Sequence, residues 1–201
     1  MNADNIKKAI VIGAGTMGRG IAQTLAMIWF ETTLLDFDPK MLEASTAQIA
    51  ENLEKGVARG KVTEAVRDEA LKCLATATEW KGACPDADAV IEAVPEILAL
   101  KCKIFGELGE HYGPDVLLAT NTSSLPISEI AAAAKHPERV TGMPFFNPVH
   151  IMKLVEVVRA EQSSPEAVQT SIDLATRMGK EPISVKDSLG YGFPMGPLKL
   201  T

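Results

Sequence analysis

Aromatic residues are scarce, 5% of the 201-residue chain, and cysteine is scarcer: three residues, at positions 73, 84 and 102, with no C-x-x-C pair. An odd, widely spaced set of thiols argues against a disulfide framework or a zinc site and fits a reduced, cytoplasmic protein. Long apolar runs are missing too. The richest, 21–30, is interrupted by Gln23 and Thr24, so nothing approaches the roughly 18 apolar residues that cross a bilayer. The first five residues carry no basic segment followed by an apolar one, so no secretory leader is expected. Positive charge is also short. Against 26 Asp+Glu there are 20 Lys+Arg, a formal net charge of −6, which argues against nucleic acid as the main partner.

Apolar residues nevertheless make up 46% of the chain and charged ones 23%, the balance of an ordinary globular domain. Lys8 to Ile12 is a compact apolar run ended by Gly13, as in a strand buried on both faces. Met17, Ile21, Leu25 and Ile28 then recur at helical spacing. Thr32 to Leu35 reads as a second strand, and Asp38-Pro39 as a cap and first turn of a helix running to about Gly60. Another helix begins at Thr63, with Val66, Ala70 and Leu74 on one side. Strands are expected at 89–94, 116–120, 139–143, 154–158 and 183–185, and helices at 97–112, 127–134 and 165–178. This alternation predicts an α/β fold of Rossmann-like, doubly wound type: a mostly parallel sheet with helices on both faces. Residues 1–187 form the expected domain, and 188–201 a short Gly/Pro-rich tail.

The first strand runs into Gly13-Ala14-Gly15-Thr16-Met17-Gly18, a G-x-G-x-x-G that opens a helix. In that context Gly13 makes the turn, Gly15 admits a pyrophosphate to the backbone, and Gly18 lets helix and strand pack closely. The free N–H groups at the helix start, Thr16 and Met17 included, face the phosphates. Asp36 ends the next strand, 23 residues after Gly13. A carboxylate there accepts both hydroxyls of an adenosine ribose and repels a 2′-phosphate, which favours NAD over NADP.

The glycine turn, together with Glu92-Ala93-Val94-Pro95-Glu96, Asn121-Thr122-Ser123-Ser124, Phe145-Phe146-Asn147-Pro148-Val149 and Met152 to Val157, resembles the 3-hydroxyacyl-CoA dehydrogenases as far as Asp187. The resemblance implies an oxidoreductase of fatty acid metabolism that moves hydride between a 3-hydroxyacyl-CoA and NAD. It places Glu96 and Lys101 along the cofactor, Ser123 on the substrate oxygen, and Asn147 against cofactor and substrate. Glu156 would orient a catalytic histidine, and Asn52 and Arg59 would meet the CoA arm. Against these stand plainer readings: Ser123 as a local cap, Lys101 and Arg59 as solvated helix charges. Glu156 lies within the apolar run 154–158, where a carboxylate is costly unless paired.

Two departures bear on activity. Pro144 occupies the position of the family's catalytic histidine, immediately before Phe-Phe-Asn-Pro. Proline has no titratable group, and losing a general base costs on the order of 10²–10⁴ in rate. His150, His111 and His136 read as surface residues. Beyond Ser188, Leu189 to Pro197 resembles a motif from deep within the family's helical second domain, as if joined across a deletion. Apolar surface uncovered in that way leaves room for self-association. A non-catalytic dinucleotide-binding remnant or a partner-binding module is therefore the alternative to an impaired enzyme. A smaller departure is Trp29, where the family closes its first helix with glycine; an altered helix end and an exposed aromatic are expected.

Overall fold

Lys8–Ile12 (β1) is apolar at consecutive positions because both its faces are covered. Ala9 and Val11 pack into one core layer, Ile10 and Ile12 into the other. The computed structural model describes residues 6–80 and 82–187. After β1 come Thr16–Ala26 (α1), Glu31–Leu35 (β2), Pro39–Ala58 (α2), Glu64–Cys73 (α3), Leu74–Ala77 (β3) and Ala89–Glu92 (β4). Then follow Leu98–His111 (α4), Leu117–Thr120 (β5), Ile127–Ala133 (α5), a 3-10 turn at Pro137–Arg139, and Val140–Gly142 (β6). Leu154–Arg159 (β7), Pro165–Arg177 (α6) and Glu181–Lys186 (β8) complete the described chain.

Among the described residues the strands form one sheet in the order β3-β2-β1-β4-β5-β6-β7-β8. Every neighbouring pair is parallel except β6 with β7. Ile21 of α1, Leu42, Ile49 and Leu53 of α2 and Leu174 of α6 cover one face; Ile104, Phe105 and Leu108 of α4 and Ile130 of α5 cover the other. The doubly wound expectation holds. The strand order reverses between β1 and β4, and it is at the carboxyl ends of the strands beside such a reversal that these folds bind ligands.

Capping chemistry sets several boundaries. Asp38 accepts the Lys40 N–H (2.9 Å) at the start of α2, and Thr63 accepts the Val66 N–H (3.2 Å) at the start of α3. The C-terminus of α4 is closed by Arg139, wholly buried, which donates to the carbonyls of Gly113, Val116, Gly109 and Tyr112. A cation at that end also opposes the negative pole of the helix.

Three expectations need correction. Leu74 is not on α3: it begins β3, which pairs with β2 in the register Leu74↔Thr32. Helix passes directly into strand without glycine or proline, and a four-residue edge strand carries almost no periodicity. Strand β4 stops at Glu92, two residues early, because the Ala93 N–H still reaches the Ile12 carbonyl while the Val94 N–H turns to the Glu92 side chain. The end of α1 is also not altered. Trp29 adopts the left-handed conformation (φ 67°) itself, its N–H donating to Ala26 and that of Phe30 to Leu25, the pattern a glycine closure makes. Its indole is exposed, as expected, while Phe30 is buried. The tail expected at 188–201 lies outside the described residues.

Candidate functional site

Every element that could serve a dinucleotide meets at the carboxyl edge of the parallel strands. Gly13 has φ 100° and a Cβ there would sit 2.7 Å from the Ala93 carbonyl oxygen; a Cβ on Gly18 would sit 1.8 Å from that of Gly13. No side chain fits at either position. Gly15 differs: its backbone is extended (φ −69°, ψ −173°) and nothing lies within 4 Å of an added Cβ. The space above the first turn of α1 is open, bordered by helix N–H groups and large enough for the backbone to be approached.

Asp36 is part of this turn. One oxygen of its carboxylate accepts the Ala14 N–H (2.8 Å), the other the Asp38 N–H (3.0 Å). Buried Ser45 of α2 donates to the Ala14 carbonyl. The glycine turn is therefore pinned from both sides, and Asp36 keeps lone pairs for further donors. One residue on, Phe37 meets Trp80 edge to face (centroids 5.6 Å apart), and both line a largely apolar cavity of about 230 Å³ with Leu100 and Ile104, which Glu79, Lys103 and Glu107 also border. The sequence shows Phe37 only as a residue after Asp36 that supplies no cation for a 2′-phosphate; its meeting with Trp80 comes about only through the fold.

On the other side of β1, Glu92 ends β4 fully buried. Its carboxylate accepts from the Lys101 ammonium (2.6 Å), the Thr120 hydroxyl (2.6 Å) and the Val94 N–H (2.6 Å). Lys101 is buried as well and stands 3.6 Å from Glu96; it is not a solvated helix charge. Glu96 in turn accepts from Thr122 and from the Ser124 hydroxyl (2.9 Å). This chain of charge-assisted bonds ties β4, α4 and the turn after β5 together. The cap of that turn is Thr122, which accepts the Leu125 N–H (3.1 Å). Ser123 is left exposed, without a hydrogen-bond partner among the described residues.

The β6–β7 junction holds the other expected residues. The isolated bridge Phe145↔Val155 continues the register Gly142↔Val158, and the Glu156 N–H donates to the Pro144 carbonyl (3.3 Å). Pro144 and Glu156 are thus directly opposite, a pairing in which side chains share one face with Cβ atoms about 4.5–5.5 Å apart. Pro144 is buried and Glu156 half-buried. Among the described residues no hydrogen bond or ion pair reaches the Glu156 carboxylate, and burial alone pushes its pKa up. The partner that its apolar setting called for is not found among the described residues. Asn147 is exposed beyond the junction, while Asn121 accepts the Phe145 N–H (2.9 Å). His150 lies exposed on the following loop; partial burial, then the charges of Lys180 and Arg19, lower its pKa.

Asn52 donates to Gln23 of α1 (3.2 Å) and accepts from Gln48 (3.3 Å), and Arg59 is exposed at the end of α2. All three cysteines are free, and burial raises each thiol pKa. Among the described residues, no three His, Cys, Asp or Glu side chains converge as a metal site would require, and no helix is long and apolar enough to cross a membrane.

Fold and glycine turn together define a dinucleotide-binding domain of the doubly wound class. Residues 8–188 match the family model described as 3-hydroxyacyl-CoA dehydrogenase, NAD binding domain. The chain belongs to that family. It is 43% identical over 187 residues to the fatty acid oxidation complex subunit alpha of Shewanella putrefaciens, a match that covers 92% of this chain and 26% of that protein. Among solved structures, the 3-hydroxybutyryl-CoA dehydrogenase of Escherichia coli superposes with a TM-score of 0.90 at 40% identity, covering 93% of this chain and 39% of that one. The (S)-3-hydroxybutyryl-CoA dehydrogenase of Ralstonia eutropha gives 0.89 at 35%, covering 94% and 66%. The chain spans about a quarter of the length of the curated relatives it matches.

Proposed function

We propose that this chain is the cofactor-holding part of an NAD-dependent oxidoreductase of fatty acid oxidation that acts on 3-hydroxyacyl-CoA in the cytoplasm, with turnover impaired at the proton-transfer step. The observation that carries the binding half is the open cradle at Gly15 beside a turn that Asp36 already grips. Gly13, whose own N–H goes to the Leu35 carbonyl, makes the turn, and the backbone amides of Gly15 to Gly18, with Thr16 and Met17 at the helix start, hold the pyrophosphate. Asp36 holds the adenosine ribose, and the apolar cavity at Phe37 and Trp80 suits a purine. Glu96, positioned by Lys101 and Thr122, flanks the rest of the cofactor. Bound NAD supplies the hydride acceptor that turns a 3-hydroxyl into a ketone.

Ser123 then donates to the substrate oxygen, Asn147 seats cofactor and substrate, and Asn52 and Arg59 take the CoA arm. What this chain does not supply is a base opposite Glu156. The unpartnered carboxylate facing Pro144 favours a second reading: dinucleotide binding without catalysis.

Acetoacetyl-CoA reduction by NADH separates the two. Under the impaired-enzyme reading wild-type protein shows a weak rate above the protein-free control. Pro144→His, which sets an imidazole opposite Glu156, raises that rate on the order of 10²–10⁴-fold. Tight NADH binding with no turnover in either protein supports the non-catalytic reading. Absence of NADH binding overturns both.

A further inference from the structure

Lysine is seldom buried without an acidic partner. Lys180 is only 8% exposed, yet its ammonium has no carboxylate partner among the described residues and donates instead to two carbonyls, Val149 and Met152 (3.0 Å). Its backbone is fixed by the end of α6. Gly179 (φ 71°) donates its N–H to Thr176 and Lys180 donates its own to Ala175, the six-to-one closure that places the next residue reproducibly.

The segment that Lys180 grips joins β6 to β7 across the carboxyl edge of the parallel strands, and Asn147 lies within it. Inside that loop the N–H groups of Ile151 (3.0 Å) and Met152 (2.9 Å) both donate to the Pro148 carbonyl. Val149 seats on Gly20, where an added Cβ would come within 2.8 Å of the Val149 Cβ. Gly20 belongs to α1, about one turn beyond the open cradle. The loop is therefore held between α1 on one side and the Lys180 ammonium on the other.

We infer that Lys180 is a positioning residue for the cofactor: through the Val149 and Met152 carbonyls it holds the Asn147 loop against α1 in the arrangement that binds NAD(H). The inference rests on the proposed NAD reading of the cradle. A purely structural clamp would stabilise the fold without regard to ligand. A positioning clamp is linked to it, and linkage is reciprocal: if the grip favours the cofactor, the cofactor must favour the grip.

Two measurements test this. In Lys180→Met, which keeps the aliphatic stem but no donor, the NADH dissociation constant rises about tenfold, roughly 1.4 kcal/mol. Amide exchange at Ile151 and Met152 speeds up while that of β1 and β4 does not. In wild-type protein, saturating NADH slows acetic anhydride labelling of Lys180 several-fold and leaves exposed Lys135 unchanged. A folded Lys180→Met protein with NADH affinity within about twofold of wild type overturns the inference. So does Lys180 labelling that is indifferent to NADH, which decides the matter alone if the variant does not fold. Failure of wild-type protein to bind NADH is a different outcome: it overturns the NAD reading and the inference with it.

Discussion

A half-buried carboxylate with no cation or donor beside it is a standing cost at neutral pH, because burial disfavours its charged form. Among the described residues Glu156 is in that position. Its folded pKa lies above the ordinary 4.5, so the folded state binds the proton more tightly than the unfolded one. Its stabilising contribution is complete below about 4.5 and is lost as pH rises through the folded value. Glu156→Gln is therefore expected to melt above wild type at pH 7, with the difference vanishing in scans below pH ~4.5; an equal or lower melting temperature at pH 7 contradicts the unpaired state. The sequence exposed both Pro144 and Glu156 as oddities. Their opposition was not legible, because it depends on the register of two strands that meet antiparallel in an otherwise parallel sheet.

Among the elements, β4 and α4 are joined by a fully buried ion pair, Glu92 with Lys101, and the end of β5 is tied in by the Thr120 hydroxyl, which donates to Glu92. Removing one partner leaves an uncompensated buried charge, which typically costs about 3–5 kcal/mol. Lys101→Met should fall in that range by urea denaturation, and Glu92→Gln at its lower end, because Glu96 stays 3.6 Å from the ammonium. The double variant should cost less than the sum, because it removes both charges together. Additive losses would show that the pair does not act as a unit. Element order and most boundaries were legible from apolar runs, from the Asp38-Pro39 and Thr63 caps and from the glycine turn. Less legible were β3, four residues long and continuous with its helix, and the end of α1, where tertiary packing of Phe30 holds Trp29 in a conformation that its own preferences oppose. Lys101 read as a surface charge or a cofactor ligand with equal ease. Only the fold shows that it is buried against Glu92.

For the molecule as a whole, a sheet that reverses its strand order between β1 and β4 collects the glycine turn, Asp36, Glu96, Ser123, Asn147 and the Pro144–Glu156 pair along one edge. Family membership rests on residues 8–188, and its motifs were readable because they lie at strand ends, where the fold leaves chain free for chemistry. The Lys180 grip was not readable, since it joins loops about thirty residues apart through backbone carbonyls that no motif records.

The most direct test is an NADH titration, followed by calorimetry, of wild-type protein beside Gly15→Val. Nothing lies within 4 Å of a Cβ at Gly15 and its backbone is extended, so the variant should fold and melt as wild type does. Its branched side chain would occupy the cradle, and NADH affinity should fall at least about tenfold, or more than roughly 1.4 kcal/mol. Unchanged affinity in the folded variant would mean that the pyrophosphate does not lie over the first turn of α1, and the dinucleotide site would have to be sought elsewhere.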